Sequence, residues 1–269
     1  MIRKSKIYSS EHISYLKNRR KYLYKIKFIQ IAVLMGFIIL WEFLANIKVI
    51  DSFIMSSPSR VVKTFINLYQ SGQLWNNVLI TVCETISGFV LGTILGIILA
   101  TLIWWSPFVL KVVEPYLVVL NALPKVALGP IIIVWLGAGM GSIILMALLV
   151  SVILSIMNIL HAFQSVNKEK ILLMKSFGAT KFQIFTKLIL PSNLSTIMST
   201  LKINVGMSLI GVITGEFLVS SSGVGYLIVY GGQVFKMDLV MVGILILSVL
   251  AWFIYACVTK IQWIYSKRR

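Results

Sequence analysis

Six long apolar runs, separated by short polar or basic stretches, dominate this chain and restrict the folds that are open to it. Each is near the roughly 20 residues that a helix needs to cross the hydrocarbon core of a bilayer. Backbone groups in that core must be hydrogen-bonded internally, so the runs predict an all-α membrane protein with six spans. The predicted spans are about 28–47, 77–103, 110–136, 141–162, 193–218 and 238–260.

The composition agrees with a membrane bundle, because 58% of the 269 residues are hydrophobic and only 12% are charged. The net charge of +17 would suit nucleic acid in a soluble protein, but here the basic residues lie between apolar runs. We therefore interpret them as topology signals and contacts to anionic lipid heads, and expect no nucleic acid partner. Cys83 and Cys257 lie inside apolar runs without metal-ligand spacing, so no metal site is expected.

Basic residues are distributed very unevenly between the two sides of such a bundle. With the N-terminus in the cytoplasm, 21 Lys and Arg residues fall on the cytoplasmic side and 4 on the outer side. This asymmetry predicts a multi-pass membrane protein with both termini on the cytoplasmic side. The chain then divides into a basic N-terminal segment (1–27), a six-span domain (28–262) and a basic tail (263–269).

Several local signals interrupt the predicted spans. Glycines at 88, 92 and 96 form a small-residue stripe that lets another helix approach closely. The sequence LPKVALGP (123–130) places two prolines in the third run and predicts a broken helix there. We expect Glu114-Pro115 to begin the third span, and residues 58–70 to form an amphipathic helix on the outer surface.

A basic segment between the fourth and fifth spans, residues 163–191, is called the basic loop here. Gly178 is placed to end a first helix, about 168–177, and Thr180 to Gln183 reads as the capping box of a second. Phe182 and Phe185 are expected on one apolar face with Leu188 and Ile189, and Pro191 is expected to stop or redirect the chain. A plain topogenic loop would be less regular, so this shape favours docking into another protein.

The stretch FGATKFQIFTKLILP resembles the cytoplasmic signature of ABC-importer permeases, EAA-x3-G-x9-I-x-LP. Gly178 matches its glycine and 188–191 its end, whereas Leu, Leu and Met stand in the E-A-A positions. WEFLA, SSPSRV, TISGFVLGTILGIILA, LPKVALGPIIIVWLGAG and GEFLVSSSGVGYLI extend the resemblance to nitrate/sulfonate/taurine-type permeases over about 40–265.

The resemblance implies a six-helix type I ABC-importer permease bundle with a cytoplasmic coupling helix. It further implies a bacterial cytoplasmic membrane, two ATP-binding subunits, a second and identical permease chain, and an extracytoplasmic substrate-binding protein. Within 168–190 and the adjoining proline, the predicted coupling residues are Leu172, Leu173, Met174, Lys175, Gly178, Ala179, Leu188, Leu190 and Pro191.

Polar residues inside the spans are the candidates for a translocation pathway, because burying them in a membrane is costly. Glu84 either faces the pathway or pairs with a basic or hydroxyl group on a neighbouring helix. A negative Glu84 side chain in the pathway would disfavour an anionic solute. Glu84 together with Pro124-Lys125 resembles the permeases associated with thiamine-precursor pyrimidines or riboflavin. Glu216, beside SSSGVGYL, is expected to form an outer gate and binding-protein contact. Asn121 and Asn158 are further candidates, although interhelical hydrogen bonding suits them better.

The chain has no GxxxxGK[ST] motif, so we expect no cofactor in it and assign ATP and Mg²⁺ to a partner ATPase. An ion-coupled secondary carrier remains the alternative, but it needs no docking loop and often shows inverted repeats. A membrane enzyme would need a cluster of His, Cys or acidic residues at one membrane face, and the sequence shows no such cluster.

Overall fold

The computed structural model describes residues 10–267, and helices account for nearly all of them. The first nine residues of the predicted N-terminal segment and the last two of the predicted tail lie outside the described residues. The chain forms two units, residues 1–63 and 64–269, which we describe separately. No strand occurs between residues 10 and 267.

The first unit contains the first span and a short connection. Helix α1 has 37 residues, so at 1.5 Å per residue it is about 55 Å long and extends beyond a hydrocarbon core of about 30 Å. The Glu42 carboxylate accepts a hydrogen bond from the Ser59 N–H at 2.9 Å. The helices that begin in this unit are α1 (Ser10–Asn46), α2 (Ser52–Met55) and α3 (Pro58–Gln70), the last matching the predicted 58–70 helix.

The second unit contains the remaining helices. Among the described residues, five helices are long and apolar enough to cross a membrane, α1 and four in this unit. A bent pair of helices at 107–136 supplies a sixth span if the pair is counted as one. The helices are α4 (Gln73–Trp105), α5 (Pro107–Ala122), α6 (Gly129–Leu136), α7 (Met140–Gln164), α8 (Lys168–Ser176), α9 (Lys181–Ile184), α10 (Leu190–Ser192), α11 (Leu194–Val219), α12 (Val224–Gln233) and α13 (Met237–Lys267).

The third apolar run is broken where the two prolines predicted it. Helix α5 ends at Ala122, a single 3₁₀ turn covers Lys125–Leu128, and the two halves of the run are bent by 89°. Leu123 is extended because the residue before a proline avoids helical angles. The Lys125 ammonium donates to the carbonyl oxygen of Asn121 at 2.7 Å, which satisfies a backbone group left free by the break.

The expected start of the third span at Glu114-Pro115 is wrong. Helix α5 begins at Pro107, and the Ser106 hydroxyl caps it by accepting from the Val109 N–H at 3.4 Å. A serine followed by proline is a favourable start for a helix, since proline lacks the N–H that would otherwise remain unpaired. Pro115 consequently lies inside α5.

Helices α4, α7 and α11 form a closely packed core. A methyl group added at Gly88 would lie 2.5 Å from the Cβ of Ala147, and methyl groups at Gly92 and Gly96 would overlap Ser151 and Ser155. The predicted small-residue stripe on α4 is therefore confirmed, and it faces α7. The Asn204 amide on α11 donates to Thr93 Oγ1 of α4 at 3.0 Å and to Ser155 Oγ of α7 at 2.6 Å. These hydrogen bonds add polar contacts between the three helices.

Candidate functional site

The first half of the basic loop ends in a complete Schellman motif. Helix α8 begins after Asn167, whose side chain accepts from the Glu169 N–H at 2.7 Å. At the other end Gly178 has φ +73°, its N–H donates to the carbonyl of Lys175, and the Ala179 N–H donates to that of Met174. The prediction that Gly178 terminates this helix is confirmed, because the motif requires a left-handed residue there.

The second half begins with the predicted capping box. The Thr180 hydroxyl accepts from the Gln183 N–H at 3.3 Å, and the Gln183 side chain accepts from the Thr180 N–H at 2.8 Å. Helix α9 then widens into a π-helical turn at Phe185–Ile189 before α10. Pro191 lies inside α10, and the chain redirects at Asn193 instead. The wide turn accommodates a proline whose ring would clash with the carbonyl four residues earlier in a regular α-helix.

The basic loop presents one apolar surface outward and packs another against the bundle. Met174, Ala179, Leu188 and Leu190 are partly buried against the core that contains Ile184 and Ile189. The predicted coupling residues Leu172, Leu173, Lys175 and Gly178 are exposed, and Pro191 is half-buried. Phe182 was expected on the packed face, but 64% of its surface is exposed. That expectation assumed a uniform helical period, which the π-helical turn interrupts.

An aromatic cluster joins the basic loop to the end of α4. The rings of Trp104 and Phe185 have centroids 5.2 Å apart, and those of Phe163 and Phe185 are 5.5 Å apart. The Lys181 ammonium donates to the carbonyl oxygen of Trp105, the last residue of α4. It also lies 5.6 Å and 5.7 Å from the ring centroids of Trp104 and Trp105, within cation–π range. Sequence analysis did not find this cluster, because its members are distant in the chain.

At the opposite end of α4, a second loop is held by hydrogen bonds from buried side chains. We call residues 220–225 the SSSGVG loop. The Gly223 N–H donates to Asn77 Oδ1 at 2.7 Å, and the Val224 N–H donates to Thr81 Oγ1 at 2.8 Å. The Gly225 N–H donates to a carboxylate oxygen of Glu216. Asn77 and Thr81 thus join the predicted Glu216; sequence analysis missed both because they are distant in the chain.

Glu84 and Glu216 form a buried pair of carboxyl groups. They are 2% and 1% exposed, and their side chains interact across α4 and α11. Glu216 also accepts from the Thr81 hydroxyl at 2.5 Å, and Thr81 lies one helical turn from Glu84 on α4. Glu216 accepts from N–H and O–H donors, whereas Glu84 Oε2 has no hydrogen-bond partner among the described residues. The partner of Glu84 on the neighbouring helix is an acid, whereas the pairing alternative had named a basic or hydroxyl group.

The other predicted pathway residues lie elsewhere in the second unit. Asn121 is half-buried near the end of α5, and Pro124 is exposed at the break in the third apolar run. Asn158 is half-buried on α7, one helical turn beyond Ser155 towards the basic loop. The structure therefore brings Glu84 and Glu216 together and leaves these three apart from them.

A polar cavity of about 890 Å³ lies beside the SSSGVG loop. Amide and hydroxyl groups line it, together with one lysine and one aspartate, Lys236 and Asp238. Tyr226 and Tyr230 form part of its wall, with their rings nearly parallel and their centroids 5.8 Å apart. Such a wall is suited to a flat, uncharged molecule that hydrogen-bonds at its edges.

Comparison with known proteins identifies the class to which this bundle corresponds. The chain belongs to the family of binding-protein-dependent transport system inner membrane components, whose model matches residues 92–269. It is therefore a multi-pass membrane component of such a transport system, and the family is that of ABC transporter permeases, which are not themselves catalytic subunits.

Individual relatives support the same family. The chain is 30% identical over 224 residues to the formylaminopyrimidine transport permease ThiX of Halalkalibacterium halodurans, covering 83% of this chain and 89% of that protein. It is 28% identical over 222 residues to the riboflavin transport system permease RibX of Chloroflexus aurantiacus, covering 82% and 83%. A crystal structure of a bacterial ABC transporter that imports alginate has the same fold, with a TM-score of 0.63, 18% identity and coverage of 90% and 98%.

Proposed function

We propose that this chain is the permease of an ATP-driven importer and that the basic loop couples it to a separate ATPase. The observation that carries this proposal is the doubly capped basic loop, which projects Leu172, Leu173 and Phe177 away from the bundle. Exposed apolar side chains on a rigid helix are suited to insertion into a groove of a partner. ATP and Mg²⁺ would be bound by that partner, and two such subunits would serve two permease chains.

The proposed topology places both termini and the basic loop in the cytoplasm and the SSSGVG loop on the outer side. The distribution of basic residues supports this orientation. The hydrogen bonds from Asn77, Thr81 and Glu216 would then hold an outer gate closed. An extracytoplasmic binding protein would deliver the solute to this end, and membrane lipids would surround the bundle.

We further propose that the solute is a small organic molecule without net negative charge. The pair of buried acids makes the gate a poor environment for an anion. The stacked tyrosines and polar wall of the neighbouring cavity suit a flat heteroaromatic compound such as a pyrimidine or a flavin. ThiX and RibX are named for solutes of this kind, whereas a relative named for aliphatic sulfonates is named for anions.

Purification of the tagged chain from native membranes in mild detergent, followed by mass spectrometry, tests the importer proposal. We expect an ATPase subunit at near one-to-one stoichiometry, and uptake by vesicles that requires ATP. A chain that purifies alone, with uptake abolished by dissipating an ion gradient, would instead identify an ion-coupled carrier. Competition for uptake by pyrimidines, flavins and alkyl sulfonates then tests the solute class.

A further inference from the structure

We propose that helix α4 transmits movement of the basic loop to the SSSGVG loop, and that Lys181 is the positioning residue that holds the basic loop to α4. This inference rests on the proposed importer function and deepens it. Helix α4 has 33 residues without an interruption, so it is about 50 Å long. Both loops make direct contacts to it, one at each end.

At the basic-loop end, Lys181 has a fixed position because it is the first residue of α9, directly after the capping threonine. Its ammonium binds the carbonyl of Trp105, one of the carbonyls that a helix end leaves without an intrahelical partner. A cation there also interacts favourably with the negative end of the helix dipole. Phe185, one turn later, packs against Trp104 and Trp105, with centroids 5.2 Å and 6.0 Å apart.

At the other end, Thr81 uses both hydrogen-bonding functions of its hydroxyl group. It donates to Glu216 and accepts from the Val224 N–H, while Asn77, one turn away, accepts from Gly223. These bonds are 2.5–2.8 Å long, so a displacement of α4 by about 1 Å along them would lengthen them to about 3.5–3.8 Å, beyond hydrogen-bonding distance. Movement of α4 would therefore release the SSSGVG loop.

Between its ends, α4 packs on α7 through small residues. Gly88, Gly92 and Gly96 face Ala147, Ser151 and Ser155, so only small side chains meet in this middle stretch of the interface. Such an interface is suited to a small sliding movement of packed helices. The Asn204 amide of α11 donates to Thr93 on α4 and to Ser155 on α7, so it contacts both helices of this interface.

The test uses the complete importer in liposomes, with ATP enclosed so that only right-side-out complexes are energised. Val224 is fully buried, so Val224→Cys reports opening of the SSSGVG loop to an impermeant maleimide added outside. Cys83 and Cys257 are first replaced by serine, because both are exposed. The variants are Lys181→Met, which keeps the length but removes the charge, Lys181→Arg, and Lys187→Met as a control on an exposed lysine of the same loop.

We expect ATP to raise the labelling rate about tenfold in the parent, in Lys181→Arg and in Lys187→Met. A tenfold rise corresponds to a shift of about 1.4 kcal/mol in the free energy between the closed and open states of the SSSGVG loop. In Lys181→Met the ratio should fall towards one, with solute transported per ATP falling in parallel and ATP hydrolysis retained. A merely structural role for Lys181 would lower assembly and hydrolysis together instead.

Different failures have different meanings. If the parent takes up solute with ATP but its labelling does not respond, the inference about α4 is overturned and the importer function stands; if ATP drives neither uptake nor labelling, the proposed importer function fails as well. If the parent responds and Lys181→Met responds equally, only the inference about α4 is overturned. If Lys181→Met does not assemble, Phe185→Leu decides, because it removes the aromatic contact to α4 and keeps an apolar side chain; a full response in that variant overturns the inference.

Discussion

At the scale of single residues, Glu216 is defined by what surrounds it. A β-carbon added at Gly225 would lie 2.6 Å from Glu216 Oε2, and Gly223 has φ +109°, a conformation that favours glycine. The backbone of the SSSGVG loop can therefore come close enough to the Glu216 carboxylate for the Gly225 N–H to donate to it. Only glycine at 223 and 225 permits this approach, which explains why the acid and the flexible sequence occur together.

Gly225→Ala should open or destabilise this loop. The added methyl group overlaps the carboxylate, and such crowding costs about 1–3 kcal/mol. We expect uptake to fall at least about fivefold, measured as the initial rate of solute entry into vesicles. Gly232→Ala in the same helix is the control, since a β-carbon there meets no described atom within 4 Å. Equal effects of the two changes would contradict this explanation.

Substitutions of Glu84 test whether it donates a proton to Glu216. Glu84→Gln retains an N–H donor of similar size, and uptake should remain within about twofold of the parent. Glu84→Ala removes the donor from a buried site, which costs about 1–3 kcal/mol, so uptake and thermal stability should both fall. The hydrogen bond is not the relevant feature if Glu84→Gln loses as much as Glu84→Ala.

At the scale of elements, local signals were predictable and long-range contacts were not. Gly178 and the Thr180–Gln183 box act within one helical turn, so their residue types were sufficient to predict the caps. Lys181 meets Trp105, which lies 76 positions away, and Asn77 meets Gly223, 146 positions away. No spacing rule relates such pairs before the helices are packed. The π-helical turn near Pro191 was missed because helical periodicity assumes a constant register.

The end of α8 provides a prediction for coupling. Gly178→Val places a β-branched residue at φ +73°, costing at least about 1–2 kcal/mol, and should misalign the basic loop. We expect hydrolysis by the complex to continue while uptake per ATP falls several-fold. Gly178→Asn is the matched control, because asparagine tolerates left-handed angles. Normal coupled uptake by the valine variant would contradict a rigid coupling role.

The contact between α4 and α7 provides a prediction for folding. Gly92→Leu cannot be accommodated against Ser151, so the second unit should not pack and the variant should be degraded or aggregate. Gly36→Leu on α1 is the control, because a β-carbon at Gly36 meets no described atom within 4 Å. Yield after purification and the thermal unfolding temperature measure the effect. Comparable yields of the two variants would show that the stripe is not a packing surface.

At the scale of the whole molecule, two loops at opposite ends of one 33-residue helix define how the permease would work. The spans and their order followed from apolar length, because a bilayer demands helices of a set length. The solute did not follow from the sequence, since the pathway residues Asn121, Pro124 and Asn158 do not converge with Glu84 and Glu216 in one chain. A pathway between two permease chains would bring together surfaces that one chain leaves apart.

The most direct test of the central claim is site-specific photo-crosslinking in native membranes. A photoreactive side chain at Leu173 is compared with one at Trp252, which is at least as exposed but lies on the apolar helix α13. We predict that Leu173 crosslinks to an ATPase subunit, whereas Trp252 does not. Membranes that actively take up the solute, yet show no ATPase attached at Leu173, would contradict the claim that the basic loop couples this permease to ATP hydrolysis.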